Sequence, residues 1–405
     1  MSASLSQQQT QRIHAALDAF EMELPSWGFT DSGTRFGAFA QPAAAHTIEQ
    51  KIHDAGVIHQ YTAAAPRVAV HTAWDFDAEQ DPKEVAHLAR EHGLAIGSIN
   101  PTLFTDPRYK YGSLAAPEPE VRELAMSHVE RSIAIGGAVG SRAMTLWLAD
   151  GTNYPGQDNL RGRKHRLRRA FSQISDRMAR DWPSGTMLIE YKPFEPAFYH
   201  TDIADWGMSY VFCKDAGPQA KVLVDTGHHL PGANIEHIVA FLLDEQMLGG
   251  FHFNDRKYAD DDLTMGSIDP YAAFRIFDQI VQYTEDTGDT PHIEYMVDQA
   301  HNIKPKLEAM VQTVCEAQRL RARAALVDRK QLAEAQAARD VVAAEACLRA
   351  AFDTDPEPAI RTWRQQQGVP EAPLEALRES GLIDRLAAER AVTSSQAGHE
   401  QSAHA

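Results

Sequence analysis

The 405-residue sequence predicts an α/β fold, a (β/α)8 TIM barrel with an additional helical C-terminal extension. Three features predict it: eight short apolar runs, helix-length segments between most of them, and polar residues at the ends of the runs. Apolar runs alternating with helices are the pattern of parallel strands buried on both faces, and eight such strands close a barrel. An open doubly wound sheet would instead gather its ligand groups at one switch point, usually beside a glycine-rich phosphate turn. No convincing turn of that kind follows the first run.

Residues 1–30 read as an N-terminal helical segment and 31–305 as the catalytic barrel. The runs, in order, are "RFGAF" (35–39), "RVAVH" (67–71), "LAIGSIN" (94–100), "AMTLWL" (143–148), "TMLIEY" (186–191), "KVLVD" (221–225), "GGFHFN" (249–254) and "HIEYMVD" (292–298). "DPKEVAHLAREH" and "NIEHIVAFLLDEQ" are two of the intervening helical segments. The basic run "RGRKHRLRR" (161–169) carries Leu167, and Phe171, Ile174 and Met178 continue it at helical spacing, which predicts an amphipathic helix with a solvated basic face. Residues 306–390, rich in Ala, Leu, Glu and Arg, predict a helical extension packed on the barrel or on another subunit. The small, polar residues 391–405 predict a disordered tail.

Composition narrows the function. A net charge of −17 argues against nucleic acid or an anionic membrane as partner, and no apolar stretch approaches the roughly 20 residues of a membrane span. The start lacks the apolar core of a secretory signal. Cys213, Cys315 and Cys347 are too few and too scattered for a disulfide framework or a thiolate site. A cytoplasmic protein acting on a neutral or cationic small molecule fits these totals.

In a barrel the active site lies where strands end. Glu190, Asp225, His252 and Asp298 end runs five to eight, so their side chains should converge. At an effective dielectric near 20, two like charges about 4 Å apart cost roughly 4 kcal/mol. Three carboxylates beside one imidazole therefore call for a divalent cation, raised pKa values or a cationic partner. This donor set suits Mn2+, with Co2+ or Mg2+ as substitutes, better than structural zinc. Each residue taken singly could be only a polar cap.

A second set lies beyond the strands: His228, and Asp260 and Asp262 in "YADDD". On an extended loop Asp260 and Asp262 point to one side and can chelate a second ion while Asp261 faces solvent. A plain solvated acidic loop is the alternative. Asp255 reads as a turn residue, and His229 as a packing or hydrogen-bonding neighbour. Lys192, two residues after Glu190, shares its side of the strand and can act in catalysis or merely neutralise carboxylates. His71 can hydrogen-bond a sugar hydroxyl or move its proton, and Trp147 can present an apolar wall, although both could be packed rim residues.

Taken together, "IEYKPFEPAFYHTD", "VDTGHH", "GGFHFNDRKYADDDL" and "MVDQAHN" resemble bacterial L-rhamnose isomerases of broad aldose-ketose specificity, within the xylose-isomerase-like barrels. "PSWGFTDSGTRF", "YKYGSL", "GTNYPGQ" and "LVDRKQL" extend the similarity over about residues 25 to 360. The resemblance implies a homotetrameric aldose-ketose isomerase with two divalent ions per subunit. Glu190, Asp225, His252 and Asp298 would bind the ion called structural, and His228, Asp260 and Asp262 the catalytic one. Glu190, His228, Lys192, His71 and Trp147 would contact the monosaccharide. Hydrogen would move from C2 to C1, with Lys192 stabilising charge on O1; in an ene-diol route Asp298 or Glu190 would be the base. The region after the first strand helps form the pocket for the far end of the sugar in that family, and Phe36 or Phe39 could supply its aromatic.

Three other readings compete. A sugar 3-epimerase of the same barrel class would use one metal and paired glutamates, a barrel-type nuclease would need a basic face, and a sugar-binding barrel would have no use for seven ligands. Metal stoichiometry separates them.

Overall fold

A computed structural model describes residues 5–34, 37–77, 80–195, 199–258 and 261–396. Eight parallel strands close on themselves: β1 (Met22–Pro25), β2 (Arg67–His71), β3 (Ala95–Asn100), β4 (Ala143–Leu146), β5 (Thr186–Glu190), β6 (Ala220–Asp225), β7 (Leu248–Phe253) and β8 (Glu294–Val297). Each pairs with its sequence neighbours, and β1 closes the ring by pairing Glu23 with Arg67 of β2 and with Met296 of β8. Eight helices alternate with them: α1 (Ile48–Thr62), α2 (Pro82–Glu91), α3 (Pro119–Val139), α4 (Leu160–Asp181), α5 (Trp206–Ala216), α6 (Ile235–Asp244), α7 (Pro270–Thr287) and α8 (Lys306–Ala324). Side-chain caps at Thr47, Asp81, Asn159, Asp205, Asn234 and Asp269 satisfy free amides at six of their N-termini.

Seven of the eight expected strands lie where the apolar runs placed them, within two residues at either end. The first does not. Residues 37–39 pair antiparallel with 32–34 in a small ribbon outside the barrel, and Arg35 and Phe36 lie outside the described residues. The true β1, "MELP", falls inside the segment expected to be helical, so the barrel begins at Met22. Its side chains are buried on both faces although one is a glutamate and its last residue is a proline. Both residue types are depleted in strands, and four residues carry too little pattern to override them.

Helix α4 confirms the expected apolar stripe, with Leu167, Phe171, Ile174 and Met178 all buried. Its polar face is not wholly solvated, because Arg163 is only 1% exposed. An N-terminal helix, Gln7–Asp18, is started by a capping box between Ser6 and Gln9 and buries Ile13 and Leu17.

The extension is helical and packs on the barrel. It comprises α9 (Arg329–Ala338), α10 (Val341–Asp353), α11 (Glu357–Gln366), α12 (Pro373–Glu379) and α13 (Leu382–Gln396). Arg364 donates to Gln318 of α8, and Arg390 makes a buried bidentate pair with Asp54 of α1 at 2.7 and 2.9 Å. Helix α13 runs six residues past the expected start of the tail, to Gln396; residues 397–405 lie outside the described residues. No helix among the described residues is long and apolar enough to cross a membrane.

Candidate active site

Glu190, Asp225 and His252 are the last or nearly last residues of β5, β6 and β7, and Asp298 directly follows β8. Consecutive strands of a closed barrel carry these ends side by side. Each residue offers a ligand atom within 4.8 Å of every other, three are buried, and Asp298 is partly buried. Nδ1 of His252 faces all three carboxylates, 3.2 Å from Glu190, 3.7 Å from Asp298 and 3.9 Å from Asp225.

Neighbouring groups fix these side chains. Asn254 donates through Nδ2 to both Asp225 oxygens at 3.0 and 3.2 Å, and the Gly227 amide donates to Oδ1 at 2.7 Å. A Cβ on Gly227 would stand 2.5 Å from Asn254 Oδ1, so this close approach needs glycine. The Trp27 indole donates to Asp298 Oδ1 at 2.9 Å. Trp27 and Asn254 were not singled out from sequence. Asn254 stands two residues after His252 and so shares its side of the chain, which could have marked it. Trp27 follows the strand that its own composition concealed.

Burial pushes Glu190 up, but the imidazoles of His252 and His228 outweigh it and hold the carboxyl down at about 2. Burial likewise pushes His252 down, and Glu190, Asp298 and Asp225 raise it instead to about 9. Both ring nitrogens of His252 are buried without a hydrogen-bond partner. A buried imidazole with orphaned nitrogens and three converging carboxylates fits a divalent cation, which would satisfy the lone pair and the negative charge together.

His228 belongs to the same cluster. Its Nδ1 lies 3.1 Å from the Tyr191 carbonyl and 3.1 Å from Glu190 Oε1. Both are acceptors, so Nδ1 carries the proton, and in the neutral ring the lone pair is on Nε2, 3.8 Å from Asp225. That tautomer is the one a metal ligand needs. His229 is turned away to the Tyr191 hydroxyl at 2.7 Å, and burial holds it neutral, down at about 3.

The acidic loop differs from the extended chain expected of it. Asp262 lines the site cavity, but its backbone is left-handed, with φ of 46°, so alternation along a strand does not place it. Asp260 lies outside the described residues. Asp261 is partly buried and accepts the amides of Lys257 and Tyr258 at 2.6 and 2.7 Å. Asp255 closes the loop through a backbone bridge to Leu263, and its side chain accepts the amides of Ile268 and Asp269.

These groups open into a cavity of about 270 Å3, a volume below that of common drug-sized pockets. Its lining combines Glu190, His228, His252 and Asp298 with the aromatic side chains of Trp27, Trp74, Phe104 and Trp147. The Lys192 ammonium sits 5.1 Å from the centre of the Trp147 ring. His71 lies between Trp27 and Trp74, with Nδ1 bonded to the Thr102 hydroxyl, and burial holds it neutral, down at about 3. Phe39 is exposed on the ribbon beyond β1.

A larger cavity, about 490 Å3, opens at the N-terminal end of the barrel. Its charges largely pair among themselves, Arg67 and Arg142 with Glu21 and Arg12 with Glu285. Among the described residues the only acid–imidazole cluster close enough to hold a metal is at the C-terminal mouth. We therefore take this mouth as the candidate active site, as barrel architecture also directs.

The fold and site thus define a parallel (β/α)8 barrel with a carboxylate-rich centre at its mouth. Residues 50–306 match the family described as xylose isomerase-like TIM barrel, and the chain belongs to that family. It is 39% identical to a probable sugar isomerase of Mesorhizobium japonicum over 392 residues, 95% of this chain and 90% of that protein. A probable sugar isomerase of Rhizobium meliloti is also 39% identical, over 93% of this chain and 88% of that one. Among solved structures, an L-ribulose 3-epimerase aligns with a TM-score of 0.52 and 14% identity, covering 82% of this chain and 97% of that one. At that identity the likeness concerns the fold alone.

Proposed function

We propose that the protein is a metal-dependent aldose-ketose isomerase acting on L-rhamnose, forming L-rhamnulose, and on related aldoses. The observation that carries this reading is the convergence of Glu190, Asp225, His252 and Asp298 beside a cluster of aromatic side chains, in one monosaccharide-sized cavity. The two relatives at 39% identity, both named probable sugar isomerases, support it.

In this reading Glu190, Asp225, His252 and Asp298 hold one divalent ion, Mn2+ by preference, and His228, Asp260 and Asp262 hold a second. When bound, such ions stabilise negative charge on sugar oxygens and lower the pKa of water. The protein's own groups do the rest. The aromatic cluster excludes water and accepts the C–H face of the open-chain sugar. His71, neutral at working pH, exchanges hydrogen bonds with a sugar hydroxyl, and Lys192 stabilises negative charge developing on O1. Hydrogen then passes from C2 to C1 while a proton passes from O2 to O1, the carbon-bound hydrogen moving either directly or through an ene-diol for which Asp298 or Glu190 would hold it as a proton.

The enzyme acts as a homotetramer in a reducing, cytoplasmic setting. Tyr154, Leu230, Tyr258 and Ile303 are exposed on the loops that follow barrel strands and offer apolar surface for subunit contact. Two measurements test the activity. Incubating the Mn2+-loaded protein with L-rhamnose, L-mannose, L-lyxose, D-allose and D-ribose should yield the corresponding ketoses. A product epimerised at C3, with no aldose-ketose interconversion, would replace this reading with the epimerase one. In deuterated water, near-complete retention of the C2 hydrogen would exclude the ene-diol route.

A further inference from the structure

The basic run at the start of α4 contains a side chain that composition alone would leave in solvent. Arg163 is 1% exposed, and its guanidinium ties together the loops that follow β3, β4 and β5. Nε donates to both oxygens of Asp202 at 3.0 and 2.8 Å, and Nη1 donates to the Tyr111 carbonyl and to Asp158 Oδ2, each at 2.9 Å. Arg166 adds a bond from Nη2 to the same Asp158 oxygen at 2.6 Å. Buried Asp150 continues the network, accepting the amides of Ser113 and Ala115 at 2.8 Å, while its carbonyl accepts the Asp202 amide at 2.9 Å. Gly112, with φ of 107°, lets the chain pass: a Cβ there would stand 2.8 Å from Arg163 Nη2.

Burying a guanidinium and its acids gives little net stability compared with well-packed apolar groups. What such a network does supply is fixed geometry, because the planar fork of arginine sets direction as well as distance. The geometry leads to the active site. Asp202 is flanked by Thr201 and Ile203, and these two residues hold both backbone polar groups of Lys192. The Thr201 hydroxyl donates to the Lys192 carbonyl, and the Lys192 amide donates to the Ile203 carbonyl at 3.0 Å. Lys192 lies two residues beyond the end of β5, where the barrel ladder no longer positions it.

We propose that Arg163 is a positioning residue for the reaction, fixing Lys192 over Trp147 through Asp202 and its two neighbours. This inference rests on the proposed role of Lys192, and the test separates the two. Turnover, KM, metal content and melting temperature are measured for Arg163→Lys, Lys192→Ala and the double variant, each as the Mn2+-loaded full chain. Lysine keeps the charge and loses the fork. Arg163→Lys should lower kcat about 10- to 100-fold, the scale of a misplacement near 1 Å, while metal content stays that of the native enzyme. In the Lys192→Ala background the same substitution should cost less than about 2-fold, because residues acting through one group are not additive. Equal losses in both backgrounds, or unchanged turnover in folded Arg163→Lys, would overturn the proposal. Near-normal activity of Lys192→Ala alone would instead remove the role assigned to Lys192. Should Arg163→Lys fail to fold, Asp202→Asn enters the same cycle with the same expectations.

Discussion

Two buried glutamates, at opposite ends of one barrel, meet opposite fates. Glu190 at the C-terminal mouth is held ionised, down at about 2, by the imidazoles of His252 and His228 against the effect of burial. Glu23 near the N-terminal end, 2% exposed, is pushed up to about 7 by burial and by the nearby Glu294, although the Ser98 amide donates to it at 2.7 Å. The same side chain in the same kind of strand is thus kept charged at one end and eased toward neutrality at the other. Partners, not burial, make the difference. The mouth concentrates negative charge around an imidazole with orphaned nitrogens, a donor set that fits a cation, whereas the base disposes of its charge by pairing or protonation.

Removing a ligand at the mouth should have the largest effect. Asp225→Ala or His252→Ala is expected to abolish isomerisation and to lower the Mn2+ content of the protein, measured by elemental analysis. Retained metal with lost activity would show that the cluster is not the ion's home. Next in size is Lys192→Ala, expected to reduce kcat about 10²- to 10³-fold, the usual loss for one preorganised donor. Steady-state kinetics on L-rhamnose checks it, and near-native turnover would leave Lys192 as only a counter-charge.

Trp27→Phe keeps the ring and removes the hydrogen bond to Asp298. Outer contacts to ligands are worth about 10- to 100-fold in metal affinity, so Mn2+ titration should show a loss at or below that range. No change would mean that Asp298 needs no orientation.

The smallest effect belongs to the base. The carboxyl of Glu23 is raised from 4.5 to about 7 in the folded protein, so the favourable protonated form is fully present below pH 4.5 and is lost as pH rises toward 7. Glu23→Gln should match the native melting temperature near pH 4.5 and exceed it at pH 8, by at most about 3 kcal/mol of stability. Equal melting temperatures at both pH values would erase the contrast between the two ends.

Legibility from sequence followed the same division. Strands β2 to β8 were readable because continuous apolar runs ended in polar residues, and those polar ends marked most of the mouth. β1 was not, since Glu23 and Pro25 disguise a four-residue strand whose glutamate is accommodated only by the closed barrel around it. Missing β1 also hid Trp27, which lies two residues beyond its end. The acidic loop misled by its composition: residue alternation suggested that Asp260 and Asp262 share a side, but the left-handed turn at Asp262 comes from the loop closed by Asp255 and Leu263. Arg163 was hidden by its neighbours, because six cations in nine residues look solvated and only the arrival of Asp202 from the loop after β5, beside the adjacent Asp158, buries one of them. Local pattern shows where a strand ends; it does not show which distant partner meets a side chain there.

The proposed function requires the mouth to be a divalent-metal centre that drives aldose-ketose isomerisation. Its most direct test follows L-rhamnose conversion and melting temperature together as Mn2+ is returned to chelated protein. Two ions should bind per subunit, ketose formation should appear with them, and stability should rise by about 2.7 kcal/mol for each ion at 100 times its Kd. Unaltered turnover and melting in protein confirmed to be free of metal would contradict it.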